Sequence, residues 1–453
     1  MVTLNRFKIC MFTCLMLFII LKYPVQSNLI QRIEIPSTLN PVGSGARAFG
    51  MGGAFIAVAD DATAASWNPA ALDNLEIPEL SFVMTNFHRI EDNAFGTNPE
   101  ANGSQNVYKN SLNYFSLSYP GIFSPFIVLS LNYQNLYNFD REWHLPFLIQ
   151  SEEFVLNQNA SYQQTGDLSA LGLAGSYKIN KNISVGLTIN IWNNELSTNH
   201  WKKKIVQKGI GSNEGHDFMF TYTATDEYEF ENFNFNFNLG VLWKKVYSNQ
   251  FLNYVNVGAV IKTPFRANIT HKSKYRYFFH YLEKTEPEPD NSGSFEEKDT
   301  LDLPLSYGVG TAFVFGKGNC FKVDLDIYAT EWKDYIIPDT TESENPNETD
   351  NSYSDNKRTV QVRLGMEYYL LYKNNYIIPF RTGFFYDPVP GDGYIDDYYG
   401  FTLGFGLTNK YIQFDFGYQY RFGNNVSKYI YKSLNFSQDV GEHTFCASII
   451  YTL

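Results

Sequence analysis

The sequence is poor in cysteine, in charge and in long apolar runs. Only four of its 453 residues are cysteine, and charged residues make up 18%. No spacing of Cys and His resembles a zinc site, so no metal ligand set is expected. The longest apolar run, residues 9–21, is too short to anchor a helix across a bilayer. A mean hydropathy of -0.28 likewise excludes a bundle of membrane helices. Basic clusters are scarce: the net charge is -12, and WKKK at 201–204 is the densest local exception. Nucleic acid is therefore not an expected partner.

What the sequence does have is rings. Phe and Tyr number 38 and 33, and aromatics reach 17%. They fall in strict alternation. In NFNFNFNL, residues 232–239, Phe233, Phe235, Phe237 and Leu239 share one face, and Asn234, Asn236 and Asn238 the other. In YIQFDFGYQYRF, residues 411–422, Asp415, Gly417, Gln419 and Arg421 oppose six apolar or aromatic residues. VQVRLGMEYYL at 360–370, VDLDIYA at 323–329 and SVGLTINI at 184–191 repeat the division. A period of two marks strands, not helices. Many of these runs are long enough for a tilted strand to cross a bilayer, and their apolar faces are as aromatic as lipid-facing girdles.

The fold class read from this is all-β, a transmembrane antiparallel β-barrel of about 14 strands. Fifteen segments qualify: 79–88, 110–119, 125–138, 167–178, 182–195, 217–229, 232–244, 253–265, 304–315, 320–332, 358–370, 376–386, 399–408, 411–422 and 442–453. Single-chain bacterial barrels have even strand numbers, so fourteen or sixteen is implied. Short turns such as 178–182 alternate with long polar stretches near 89–109, 139–166, 196–216, 281–302, 333–357 and 423–441, read as loops on one rim. The tip of 333–357 reads as mobile. The closing strand, 442–453, resembles the terminal signal that barrel-assembly machinery reads, which makes that machinery and outer-membrane lipid expected partners.

Residues 1–27 read as a secretory signal: Arg6 and Lys8, an apolar core, then Val25-Gln26-Ser27. Its removal takes three positive charges and leaves -15. Cys10 and Cys14 leave with it, and Cys320 and Cys446 are expected to stay unpaired.

Between the signal and the first strand lies GARAFGMGGAFIAVADDATAASWNPAAL, residues 45–72. It is small-featured and does not alternate. A barrel of about fourteen strands encloses more space than its side chains fill. Residues 28–78 are therefore read as a lumenal plug, or hatch, and 79–453 as the barrel. Gly50, Gly52 and Gly53 permit backbone geometries closed to other residues. Asp60 and Asp61 suit helix caps or pairing with lumenal Arg. Asn68-Pro69 starts a turn into a short helix. The three glycines do not form a dinucleotide fingerprint: the spacing is wrong and no βαβ unit follows, so no cofactor is expected.

RAFGMGGAFIAVADDATAASWNPAAL resembles the plug region of the FadL/TodX outer-membrane transport family. IPFRTGFFYDPVPGDG, residues 378–393, is similar to that family's late-strand motif, with Arg381, Gly383, Tyr386, Asp387, Pro388, Val389 and Pro390 matching. The resemblance implies a 14-stranded barrel in the outer membrane of a Gram-negative-type bacterium. It implies uptake of long-chain fatty acids or other small hydrophobic compounds past the hatch, with exit through the wall. Arg47, Gly50, Gly52, Gly53, Asp60, Asp61, Asn68 and Pro69 would then form the plug and its gate. The breaks at Pro120-Gly121 and Ser124-Pro125 are where a wall opening is expected. Similar Gly-Gly…Asn-Pro-Ala openings occur in PorV-like components of protein secretion, which is the alternative.

Catalysis is not expected. His88, His144, His200, His216, His271, His280 and His443 are scattered in or beside loops, with no nucleophile context, and read as surface or rim residues. Asp324, Asp326, Arg363, Glu367, Asp415 and Arg421 fall on lumenal faces, either as a selective path or, as favoured here, paired with each other and the plug. Trp143 and Trp332, in long loops, either touch a ligand or, as favoured here, pack as girdle or rim residues.

Overall fold

The computed structural model describes residues 38–39, 43–150, 154–247, 251–283, 291–316, 320–334, 357–372, 376–391, 393–431 and 434–453. The signal at 1–27 and the mobile tip expected within 333–357 fall largely or wholly outside these residues.

Burial decides between a sandwich and a barrel. Along β9 (Asn234–Val246), Phe237 is 41% exposed and Asn238 only 4%. The same inversion holds along β14 (Phe321–Thr330), where Leu325 and Ile327 are exposed and Asp324 and Asp326 buried. A water-soluble sheet hides its apolar face. This one hides its polar face and presents Phe, Leu and Val outward, as a wall in lipid must.

Among the described residues, fourteen strands close the wall. In order around it these are β1 (Glu79–Phe95), β2 (Gly103–Pro120), β3 (Ile127–Asn138), β5 (Phe154–Lys178), β6 (Ile183–Trp192), β9, β10 (Leu252–Lys262), β13 (Ser306–Phe315), β14, β15 (Thr359–Tyr372), β16 (Tyr376–Tyr386), β17 (Tyr399–Thr408), β18 (Ile412–Val426) and β19 (Phe436–Thr452). β19 pairs with β1 from Glu79↔Thr452 to Phe95↔Phe436, leaving no free edge.

The fifteenth expected segment, 217–229, is not in the wall. It belongs to a second sheet above the barrel: β4 (Arg141–Gln150), the upper half of β5, β7 (Asn199–Asn213), β8 (His216–Phe230), β11 (Phe265–Tyr281) and β12 (Asn291–Leu303). Three stretches read as polar loops, 139–166, 196–216 and 281–302, thus contain strands of their own. The error has a physical cause. These strands are amphipathic in the ordinary water-soluble sense, and segments such as NSGSFEEKDTLDL look loop-like when one face is wet. β5 joins the two sheets: it pairs with β3 and β6 below, and with β4 and β7 above.

The ladder between β2 and β3 is short. It runs from Pro120↔Val128 to Tyr114↔Gln134 and stops. There β2 carries an extra residue, Asn113, between the pairs Val83↔Tyr114 and Met84↔Leu112. Above the bulge β2 stays with β1, and β3 leans to β5. The upper end of β3 instead meets Thr38–Leu39, at Thr38↔Asn138 and Leu39↔Tyr137. The wall is split here. The breaks at 120–125, by contrast, form a tight turn: Gly121 N donates to Ile127 O at 2.8 Å. The split involves the same two strands at their other end.

Candidate functional site

Residues 43–75 fill the lumen as α1 (Ala46–Gly50), α2 (Ala64–Trp67) and a 3-10 helix, Pro69–Asn74. Almost every residue of this hatch is buried. Its alanines and glycines are needed because the wall comes to backbone distance. Gly52 and Gly53 have φ of +68° and +72°, a region costly for other residues. Gly50 serves differently: a Cβ there would lie 2.9 Å from Gly404 Cα.

The wall answers with glycines of its own. Cβ atoms built on Gly186 and Gly240 would strike Pro69 and its neighbours, those on Gly258, Gly308 and Gly310 would strike Ile56, and those on Gly365 and Gly383 would strike Met51 and Gly52. These positions lie on lumenal faces of β6, β9, β10, β13, β15 and β16, so the seat runs around much of the wall.

Polar groups fix the seat. Arg47 holds Glu367 of β15 with two bonds of 2.9 Å, and Asp60 and Asp61 also lie against it. Lys322 reaches Asp60 at 3.1 Å and Glu367 at 3.5 Å. Asp326 accepts the N–H groups of Phe55 (2.6 Å) and Ile56 (2.9 Å). Asn68 accepts from Ala70 N, capping the 3-10 helix, and donates to the carbonyls of Ile56 and, on the wall, Val241, each at 3.1 Å. Ser116, Asn256, Arg363 and Thr402 donate to hatch carbonyls at 2.8–2.9 Å. Each such bond contributes about 1 kcal/mol, and leaving one partner buried and unmet costs more.

A cavity of about 120 Å³ lies on the hatch. Phe49, Gly53 and Trp67 line it from the hatch side. Lys109, Ser111 and Asn113 of β2 and Asn135, Leu136 and Asn138 of β3 line it on both sides of the split. Leu136 also lines a second cavity of about 30 Å³, with Trp192, Phe265 and Leu303. Beyond lies a buried aromatic cluster under the upper sheet, including Tyr137, Phe139, Trp201, Tyr228 and Trp332. Phe139, Trp201 and Tyr228 stack in a column with 4.9 Å between successive rings.

Residues 38–447 match the model of the family described as outer membrane protein transport protein (OMPP1/FadL/TodX). The chain belongs to this family. It is an outer-membrane barrel of a family that transports hydrophobic compounds. Among solved structures, a Pseudomonas aeruginosa FadL homologue superposes with a TM-score of 0.54 at 12% identity, covering 90% of this chain and 98% of that one. The Pseudomonas putida toluene transporter TodX gives 0.54 at 10%, covering 92% and 99%. The CymD monoaromatic hydrocarbon channel gives 0.51 at 14%, covering 92% and 99%. At these identities the likeness is one of fold. No curated protein matches the sequence. The family match disfavours the PorV-like secretion reading.

In this FadL/TodX barrel the plug residues singled out in the sequence, Arg47 to Pro69, converge on the wall as described. Asp60 and Asp61 pair with the hatch's own Arg47 rather than with a lumenal arginine, and Asp61 also accepts from Thr63 N at 2.9 Å. The late-strand motif divides. Arg381 bonds Glu367 (2.7 Å) and Asp415 (2.6 Å), Gly383 faces Gly52, and Asp387 bonds Arg421 (2.9 Å). Tyr386 bonds Asp397 on the rim, and Val389–Pro390 pairs with Ile395–Asp396, so Tyr386, Pro388 and Pro390 shape a turn away from the hatch. The lumenal charges are paired, as favoured, except Asp324, whose two oxygens accept no hydrogen bond among the described residues and which has only Lys322 within electrostatic reach as a cation on its own strand.

Three readings need correction. Trp143 and Trp332 are not girdle residues: both are almost wholly buried in clusters above the barrel. His271 is not a surface residue. It is buried in the upper sheet between Asp226 (3.2 Å) and Glu297 (2.9 Å), stacked on Tyr228. Burial opposes its charge, but the hydrogen bonds it donates to both carboxylates win, and its pKa is raised above 6.5. Lys322, Lys109 and the wall glycines were missed. Lys109 sits beside the split, held by Asp140 (2.9 Å) and Asp167 (2.8 Å). A signal for the glycines existed: Gly186, Gly365 and Gly417 all sit among the polar, inward residues of their strands.

Proposed function

We propose that this protein takes up long-chain fatty acids or other small hydrophobic compounds, and that they leave sideways through the split between β2 and β3. The observation that carries this reading is the cavity that rests on a seated hatch and reaches both sides of that split. Passage straight through the lumen would need the hatch to break its bonds around much of the wall. Passage through the wall needs only the side where the ladder already stops. An apolar compound gains free energy by leaving a wet lumen for lipid, so the direction is downhill.

The path begins at the aromatic cluster under the upper sheet, whose buried rings part to receive a compound arriving from outside. It passes Leu136 and enters the cavity. At about 120 Å³ this cavity is near the size of a space known to admit benzene, about 150 Å³. Its lining widens to pass a single ring, and a long acyl chain threads through in parts. The role is transport without catalysis, and no cofactor enters it. Arg47, Gly50, Gly52, Gly53, Asp60, Asp61, Asn68 and Pro69 seat the hatch that floors the cavity and closes the straight route, with insertion left to barrel-assembly machinery.

The test is uptake. Cells lacking their own fatty-acid transporter would express the chain and receive labelled long-chain fatty acid or labelled toluene. Uptake of either above empty-vector cells, altered by Asn68→Ala with Pro69→Ala, supports the reading. A correctly inserted barrel that takes up neither contradicts it.

A further inference from the structure

We propose that the outer face of the six-stranded sheet above the barrel binds the negatively charged saccharide core of lipopolysaccharide in the surrounding leaflet. This goes beyond transport and does not depend on it.

The face is assembled by strand register. One row runs Gln163↔Lys204↔Thr225↔Lys274↔Ser294, the next Ser161↔Val206↔Thr223↔Arg276↔Ser292, and the third Asn159↔Lys208↔Thr221↔Phe278. Lys204, Lys208, Lys274 and Arg276 are exposed. The residues between them are mostly Ser, Thr, Asn and Gln. In a chain of net charge -12 this is a local reversal of sign. One row nearer the barrel, Lys202 shows the neutralised alternative, bonded to Glu227 at 2.6 Å. Among the described residues, Lys204, Lys208 and Lys274 are bonded to no carboxylate, although Glu227 in the row below lies within electrostatic reach of Lys274.

Spacing and height fit a phosphorylated oligosaccharide. Lys204 and Lys274 are two strands apart, about 10 Å, and Lys204 and Lys208 are four residues apart, about 13 Å. Cations at such intervals meet separate phosphate or carboxylate groups, while hydroxyls and amides between them meet sugar hydroxyls. Gln163 stands ten residues up β5 from the lipid-exposed Leu173. With strand tilt that is roughly 25 Å, the level of the sugar layer and not of the acyl chains. The opposite face of the sheet is not available, since its Trp143, Trp201 and Tyr228 are buried.

The experiment uses the full chain refolded in detergent free of lipopolysaccharide. The probe is phosphorylated core oligosaccharide, cut from lipid A by mild acid, and its dephosphorylated form. Binding is read by thermophoresis. Wild type is expected to prefer the phosphorylated probe and to weaken as salt is raised. The combined change Lys204→Glu, Lys208→Glu and Lys274→Glu is expected to weaken binding about tenfold or more. Arg at the same three positions is expected to retain it. A heat-modifiable gel shift confirms that both variants are folded. Equal affinity of wild type and the Glu variant overturns the proposal. So does failure of wild type to bind either probe, which would leave an acidic protein as the occupant.

Discussion

Arg47 and Glu367 lie 320 residues apart in the chain and meet through two parallel hydrogen bonds of 2.9 Å inside the barrel. This pair ties the hatch to the wall, and Glu367 is fully buried. Removing one partner of a buried pair costs up to about 3–5 kcal/mol when the other charge is left unmet, and less here, because Glu367 keeps Arg381 at 2.7 Å and Lys322 at 3.5 Å. Arg47→Ala is therefore expected to loosen the hatch without unfolding the barrel. In a planar bilayer, wild type should stay closed and the variant should show frequent openings. A variant as closed as wild type would mean that the seat does not rest on this pair.

Asn68→Ala removes the cap of the 3-10 helix and the bond to Val241 together. The expected loss is about 1–3 kcal/mol. It should fall on the hatch alone. Hydrogen exchange of hatch amides is expected to quicken, while amides of β6 and β9 keep their protection. Uniform quickening across the barrel would contradict a locally seated hatch.

The glycine seat predicts a contrast between two substitutions. Gly383→Val places its side chain on the backbone of Met51 and Gly52, whereas a Cβ on Gly103 meets nothing within 4 Å. Overpacking typically costs about 1–3 kcal/mol. Gly383→Val should raise conductance, and Gly103→Ala should leave it unchanged.

Leu136 lines both cavities. Leu136→Trp is expected to cut uptake several-fold by closing the connection, and Leu136→Ala to admit bulkier compounds. Competition uptake with compounds of graded width reads both effects. Unchanged selectivity in both variants would remove Leu136 from the path.

His271 predicts a pH dependence of the upper sheet. Its pKa is raised on folding by the bonds to Asp226 and Glu297. The stabilisation is therefore fully present below about pH 6.5, the usual value for histidine, and is lost as pH rises through the folded value. Thermal melts of wild type should shift downward above that pH. His271→Gln, which cannot be charged, should flatten this part of the profile.

Much of the barrel was legible because lipid and lumen impose opposite demands on alternate residues. The Phe and Asn of 232–239 state this directly. The hatch was legible as composition, in its glycines, alanines and Asn-Pro turn, but its partners were not. Arg47 finds Glu367 only through closure of the barrel, which no local pattern records. The upper sheet was hidden for a different reason. Its strands obey the rules of water-soluble sheets, so β12, with one wet face and four acidic side chains, reads like a loop. The split was invisible because it depends on one extra residue, Asn113, in an otherwise regular strand.

Exit through that split is tested by closing it. In a background with Cys320 and Cys446 replaced by Ser, Asn113→Cys and Asn135→Cys would be joined by a short reducible cross-linker. These two positions line the same cavity from opposite sides of the split. Uptake of labelled fatty acid or toluene is expected to fall to background when the link is made and to return when it is reduced. Uptake at the uncross-linked rate through a fully linked barrel would contradict exit through the split.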